Sequence, residues 1–206
     1  MINVGIIGSA GRGEDLKRLN LEMVTKMRVI ALGIINQVRG TSSVCLVSGG
    51  AAFSDHIAVD LYFSSLTIEG DRVIDDLLLH LPAPFNKGEF HFLSTSFFDP
   101  GKIANYYHRN VSEKLLGYEN RNRSLREIEY IVKCCRYTVS QGFKKRNALV
   151  VKDSDYLIAF TFGDGARLKD GGTAHTMGLF LRDKNPERSF HVDLNDMKIY
   201  SPAVVV

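Results

Sequence analysis

Apolar residues fall in two rhythms along this chain, and the points where one gives way to the other predict its elements. Short, mostly apolar runs read as buried strands, Asn3 to Ile7, Val44 to Val47, Leu77 to Leu81 and Tyr156 to Phe162, and Ser189 to Leu194 reads as a last main strand. Between them, apolar positions recur every three or four residues. Leu16, Leu19, Met23, Met27, Ile30, Ile34 and Val38 mark one long amphipathic helix ended by Gly40, and a second helix runs through Ala58 and Leu61. Alternating strands and helices predict an α/β fold. The expected form is an open, mostly parallel sheet with helices on both faces and strands near 2–7, 43–48, 76–81, 156–162 and 189–194.

That rhythm is interrupted at 86–143. Asn86 to Phe98 is aromatic-rich and loop-like; Ile103, Tyr107, Val111 and Leu115 then mark a helix closed near Gly117. Ser124 and Glu127 form a capping-box pattern ahead of a stripe of Leu125, Ile128, Val132, Cys135 and Val139. The segment reads as an aromatic and basic helical insertion within a single domain over residues 1–206. Residues 101–147 hold eleven Lys or Arg against four Glu, a net +7, which leaves −4 for the rest of a chain of net charge +3. Solvated helix faces and an anion-facing or partner surface both account for that excess. Tyr106, Tyr107 and Tyr130 among the charges would suit nucleic acid, but no nucleic-acid motif accompanies them, so that partner ranks last.

Composition narrows the classes. Hydrophobic residues at 45% and charged residues at 24% suit a soluble globular domain, and the absence of a run of about 18 apolar residues predicts no membrane span. The opening residues read as a strand, not a signal peptide. Cys45, Cys134 and Cys135 are odd in number and fit no zinc spacing, and six scattered histidines make no metal-ligand pattern. A reduced, cytoplasmic protein without metal or cofactor is expected.

The chemistry gathers at glycine turns. Gly8, Gly11 and Gly13 follow the first strand in a spacing unlike the dinucleotide G-x-G-x-x-G, with Ser9 and Arg12 as the side chains able to touch phosphate. Gly49 and Gly50 separate a strand from a helical pattern, as do Gly171, Gly172 and Thr173. At such junctions unpaired backbone N–H groups and the helix dipole favour an anion. Asp55 is a helix-cap acid or an acceptor for ligand hydroxyls. Arg146, after Lys144 and Lys145, is a phosphate ligand or part of a solvated helix-end cluster.

Gly49-Gly50 with Asp55, Arg146-Asn147, Asp155 to Phe160 and Gly172-Thr173, in that order, resemble the SLOG superfamily of Rossmann-like proteins, which includes the "lonely guy" phosphoribohydrolases and DNA-processing protein A. The resemblance covers residues 1–81 and 144–195. It implies a Rossmann-like fold, a nucleotide-type ligand, Arg146 near ligand phosphate and self-association into a homo-oligomer. Asp170 to Gly178 is also similar to the D-x-G-T-x-x-E-x-G motif of nucleoside deoxyribosyltransferases and deoxynucleotide N-hydrolases, whose glutamate acts at the N-glycosidic bond. His175 and Thr176 stand where that acid would be. The expectation is therefore a nucleotide or ADP-ribose binder, with Gly8, Ser9, Gly11, Gly49, Gly50, Gly172 and Thr173 shaping the site. The alternative is a hydrolase drawing on Asp55, Asp164, Asp170 or His175.

Overall fold

The structure, a computed structural model, describes residues 1–67, 72–94 and 99–203. In chain order it runs β1 (Ile2–Gly8), α1 (Glu14–Arg18), α2 (Leu21–Arg39), β2 (Val44–Ser48), α3 (Ile57–Leu66) and β3 (Ile74–Leu81). Next come two-residue strands β4 (Phe85–Asn86) and β5 (His91–Phe92), α4 (Pro100–Leu116), α5 (Arg123–Cys134), β6 (Arg136–Val139) and α6 (Phe143–Lys152). The chain closes with β7 (Tyr156–Thr161), α7 (Gly172–Asp183), β8 (Ser189–Asp193) and β9 (Lys198–Tyr200).

Seven strands form one sheet in the order β6-β3-β2-β1-β7-β8-β9, parallel throughout except for β9 against β8. The central strands are apolar on both faces because both faces are covered. Val4 and Ile6, Val44 and Leu46, and Ile158 and Phe160 enter one core with α2, α3 and α5. Ile7, Cys45 with Val47, and Leu157 with Ala159 enter the other, against Val150 and Val151 of α6 and Met177 and Phe180 of α7. This is the Rossmann-like open α/β fold. From β1 the chain walks outward to β2, β3 and β6, then crosses back through α6 to β7 on the far side of β1. A reversal of direction at a fixed crossover hand moves the helices to the opposite face. The β1–β7 boundary is thus the switch point where ligand crevices form.

Three local expectations are corrected. The long first helix is two: Asn20 is extended (φ −152°, ψ 166°) and its Oδ1 accepts from Met23 N at 2.8 Å, a side-chain cap that restarts the helix. The stripe through Cys135 and Val139 does not stay helical. Its end leaves α5 at Cys134 and becomes edge strand β6, paired with β3 from Leu78↔Arg136 to Leu81↔Val139, so the 86–143 segment ends inside the main sheet. Ser124 and Glu127 are not a capping box either, since α5 starts at Arg123 and both side chains are spent on His108 and His56. Of the stretch expected to be loop-like, residues 95–98 lie outside the described residues, and the rest contains the β4–β5 pair. Among the described residues no helix is long and apolar enough to cross a membrane.

Candidate functional site

The ends of β1, β2 and β7 are stitched into one wall. Ser9 N donates to Phe160 O at 2.9 Å, Ser54 N to Ser9 O at 3.1 Å, and Ser54 Oγ to Phe160 O at 3.3 Å. The β2 turn is held in a demanding conformation: Gly50 has φ 62° and Phe53, a bulky residue, φ 62°. A non-glycine residue there costs about 1–3 kcal/mol and persists only where its surroundings fix it.

Asp55 closes this wall. Its Oδ1 accepts from Gly8 N at 3.0 Å and its Oδ2 pairs with Arg146 Nη1 at 2.9 Å. Asp55 is 2% and Arg146 8% exposed, so the pair is desolvated. Burial pushes the Asp55 carboxyl above its ordinary value, against the pull of Arg146 and the N–H groups of Gly8 and Ala51. The helix-cap and solvated-cluster readings from the sequence do not describe these side chains. Asp55 is no helix cap, because α3 starts at Ile57. Arg146 is not part of a solvated cluster but a buried group whose Nε has no partner among the described residues. Gly49 is required by this arrangement, since a Cβ there would lie 1.5 Å from Arg146 Nη1.

These groups border a cavity of about 170 Å³ at the switch point. Gly8, Ser9, Arg12, Gly50, Asp55, Arg146, Asn147, Asp170, Gly171, Gly172, Thr173 and Thr176 all line it. Gly11 and Gly49 do not; Gly11 (φ 69°) shapes the turn against Leu19 and Val111. His175 is exposed and Asp164 is turned into a bridge with Arg167, so neither lines the cavity. Thr176 Oγ1 is committed to Gly172 O at 2.8 Å.

Asp15, Lys169, Ala104 and Tyr107 also line the cavity, and the sequence did not assign them to it. Asp15 is buried, accepts from Ser9 Oγ at 3.1 Å and pairs with Lys169 Nζ at 2.7 Å. Tyr107 and Ala104 of α4 cover one side, with Arg12 stacked 5.0 Å from the Tyr107 ring centre. At the α7 entrance Gly171 (φ 131°) provides no side-chain cap, leaving the first N–H groups of the helix to other acceptors. Asn147 Nδ2 reaches Gly172 O at 3.3 Å and ties α6 to this entrance.

His108 is the other residue the sequence concealed. Fully buried in α4, it places Nε2 3.0 Å from Gly50 O and Nδ1 3.0 Å from Ser124 Oγ. A carbonyl can only accept, so Nε2 carries the proton and Nδ1 accepts from Ser124. Burial, aided by His56, presses this imidazole down to about 3. The unfolded chain takes up a proton near pH 6.5 that the folded chain refuses, so stability should fall as pH drops below that value, by up to about 1.4 kcal/mol per unit. Burial lowers His80 and His191 in the same sense. Urea midpoints at neutral and mildly acidic pH should show a clearly flatter decline for His108→Gln; an unchanged slope would rule out this histidine as the source.

An uncharacterized protein of Acanthamoeba polyphaga mimivirus is 32% identical over 183 residues, spanning 85% of this chain and 88% of the viral one. The chain belongs to the family of that viral protein. No protein-family model matches the chain, and no solved structure matches it. The shared length takes in most of the domain, so the family is defined across the fold and not by one motif.

Proposed function

We propose that this protein binds a nucleotide-type ligand, of the nucleotide or ADP-ribose class, in the cavity beyond β1, β2 and β7, and acts by sensing or sequestering it. One observation carries the reading: the uncapped start of α7 and the Gly8 turn face the same cavity at the switch point of the sheet. Free N–H groups and the helix dipole favour a phosphate there. Lys169, Arg12 and the unpartnered Nε of Arg146 add positive groups to the wall. The resemblance of the glycine motifs to the SLOG superfamily supports the same ligand class.

The cavity wall favours binding over turnover. Asp55 is neutralised by Arg146, Thr176 is committed to a carbonyl, and His175 lies elsewhere. Asp15 supports the second reading, N-glycosidic hydrolysis, because it is a buried carboxylate held in place at the cavity.

Calorimetric titration with AMP, dAMP and ADP-ribose, beside native mass spectrometry of freshly purified protein, should show one bound ligand per chain. Binding should survive His175→Ala. Failure of all three ligands to bind at millimolar concentration would refute the proposal. Release of free base by the unmodified protein, lost in Asp15→Asn, would replace it with the hydrolase reading.

A further inference from the structure

The start of α3 and the early turns of α5 bring three ligand-type side chains together outside the cavity. His56 precedes α3 and its carbonyl accepts from Asp60 N at 3.0 Å, so the two side chains leave one helical face a turn apart. Glu127 of α5 reaches across and sets Oε2 2.8 Å from His56 Nε2. One ligand atom from each of His56, Asp60 and Glu127 lies within 4.8 Å of the others. None of the three lines the nucleotide cavity; Asp60 and Glu127 line a separate cleft with Arg28, Ser64, Arg123 and Tyr130.

The protein's own groups leave this cluster unsaturated. His56 is 7% exposed, and its Nδ1 has no hydrogen-bond partner among the described residues. The Asp60 carboxylate likewise has no hydrogen bond or ion pair among them, although burial and the Glu127 charge push it above its ordinary value against the pull of His56. Only Glu127 is anchored from behind, by Arg123 Nε on Oε1 at 2.8 Å, which leaves Oε2 directed at the imidazole.

We infer that His56, Asp60 and Glu127 form a binding site for a divalent transition-metal ion of the zinc or manganese kind, separate from the nucleotide cavity. Bonds of about 2.0–2.2 Å set neighbouring donors about 3–3.5 Å apart. The His56–Glu127 spacing is already close to that, and the Asp60 donor, within 4.8 Å of both, has to move closer as the ion binds. His56 binds as the neutral imidazole: Nδ1 holds the ring proton, Nε2 gives its lone pair to the metal, and the proton that Nε2 shares with Glu127 in the charged ring leaves to solvent. One imidazole with two carboxylates suits a transition ion, and three protein ligands leave positions for water entering from the cleft. Arg28 and Arg123 line the same cleft and their charge opposes any divalent cation, so the choice of a transition ion rests on the imidazole.

The test uses the full chain carrying Cys134→Ser and Cys135→Ser, because those two thiols lie 3.5 Å apart and would themselves bind zinc. Zn²⁺ is titrated by calorimetry and Co²⁺ by visible absorption. The expected result is one ion per chain, weakened about tenfold or more in Asp60→Asn and in Glu127→Gln, with circular dichroism confirming that both isosteric variants fold. No uptake at sub-millimolar Zn²⁺, or affinity that survives both substitutions, would overturn the site. Neither outcome depends on whether a nucleotide binds.

Discussion

Replacing Arg146 with methionine is expected to cost about 3–5 kcal/mol at neutral pH, because it leaves Asp55 buried and ionised without its partner. The cost should depend on pH with a definite sign. Burial already holds the Asp55 carboxyl above its ordinary value while Arg146 pulls it down. Without Arg146 the upward shift grows. A folded-state value above the unfolded one means that stability is fullest below about pH 3.9 and is lost as pH rises through the folded value. The variant should therefore approach the unmodified protein on acidification and fall furthest behind it near neutrality. Adding Asp55→Asn should recover most of the loss, since the stranded charge is gone. Urea denaturation of the single and double variants across the acid-to-neutral range measures both effects. A deficit that ignores pH, or that Asp55→Asn fails to repair, would mean that some group other than Asp55 is left uncompensated.

That pair also shows where sequence reading stops. The strands β1, β2 and β7, and the Leu77–Leu79 stretch of β3, were legible because burial on both faces writes an apolar run, and β8 because Phe190, Val192 and Leu194 alternate with polar residues. Strand β6 was not: all four of its residues are exposed at the sheet edge, and Cys135 and Val139 happen to continue the apolar spacing of α5. Helix α6 was concealed by the opposite mismatch, since its buried face presents Arg146 and Asn147 beside Val150 and Val151. Hydrophobic period is silent about polar residues turned inward. The glycine turns that border the cavity were legible because their conformational demands are local. The side chains between them were read as ligand contacts or as helix-end groups, yet Asp55 and Arg146 are 91 residues apart and meet each other. His108 and Asp15 were missed for the same reason: their partners, Gly50 O and Lys169, come from distant turns.

Gly8 and Gly172 both line the cavity, and exchanging each for alanine should separate folding from ligand recognition. A Cβ on Gly8 would stand 2.2 Å from Phe160 O and 2.5 Å from Ser54 Cβ. Neither neighbour can withdraw cheaply. The Phe160 carbonyl is fixed by Ser9 N and Ser54 Oγ, and Gly8 pairs with Phe160 in the register that joins β1 to β7. The methyl group must therefore spread the strands at the switch point and draw Gly8 N away from Asp55, which should cost about 3 kcal/mol or more, at or beyond the upper end of ordinary overpacking. At Gly172 an added Cβ meets nothing within 4 Å, and the position opens α7. Alanine there should leave stability within about 1 kcal/mol of the unmodified protein, in either direction. It nonetheless places a methyl group beside the uncapped N–H groups offered to phosphate. Under the proposed function, Gly172→Ala should weaken AMP or ADP-ribose binding while its urea midpoint stays nearly fixed. Gly8→Ala within 1 kcal/mol of the unmodified protein would contradict the packing of the three turns. Unchanged ligand affinity in Gly172→Ala would remove the α7 entrance from the binding site.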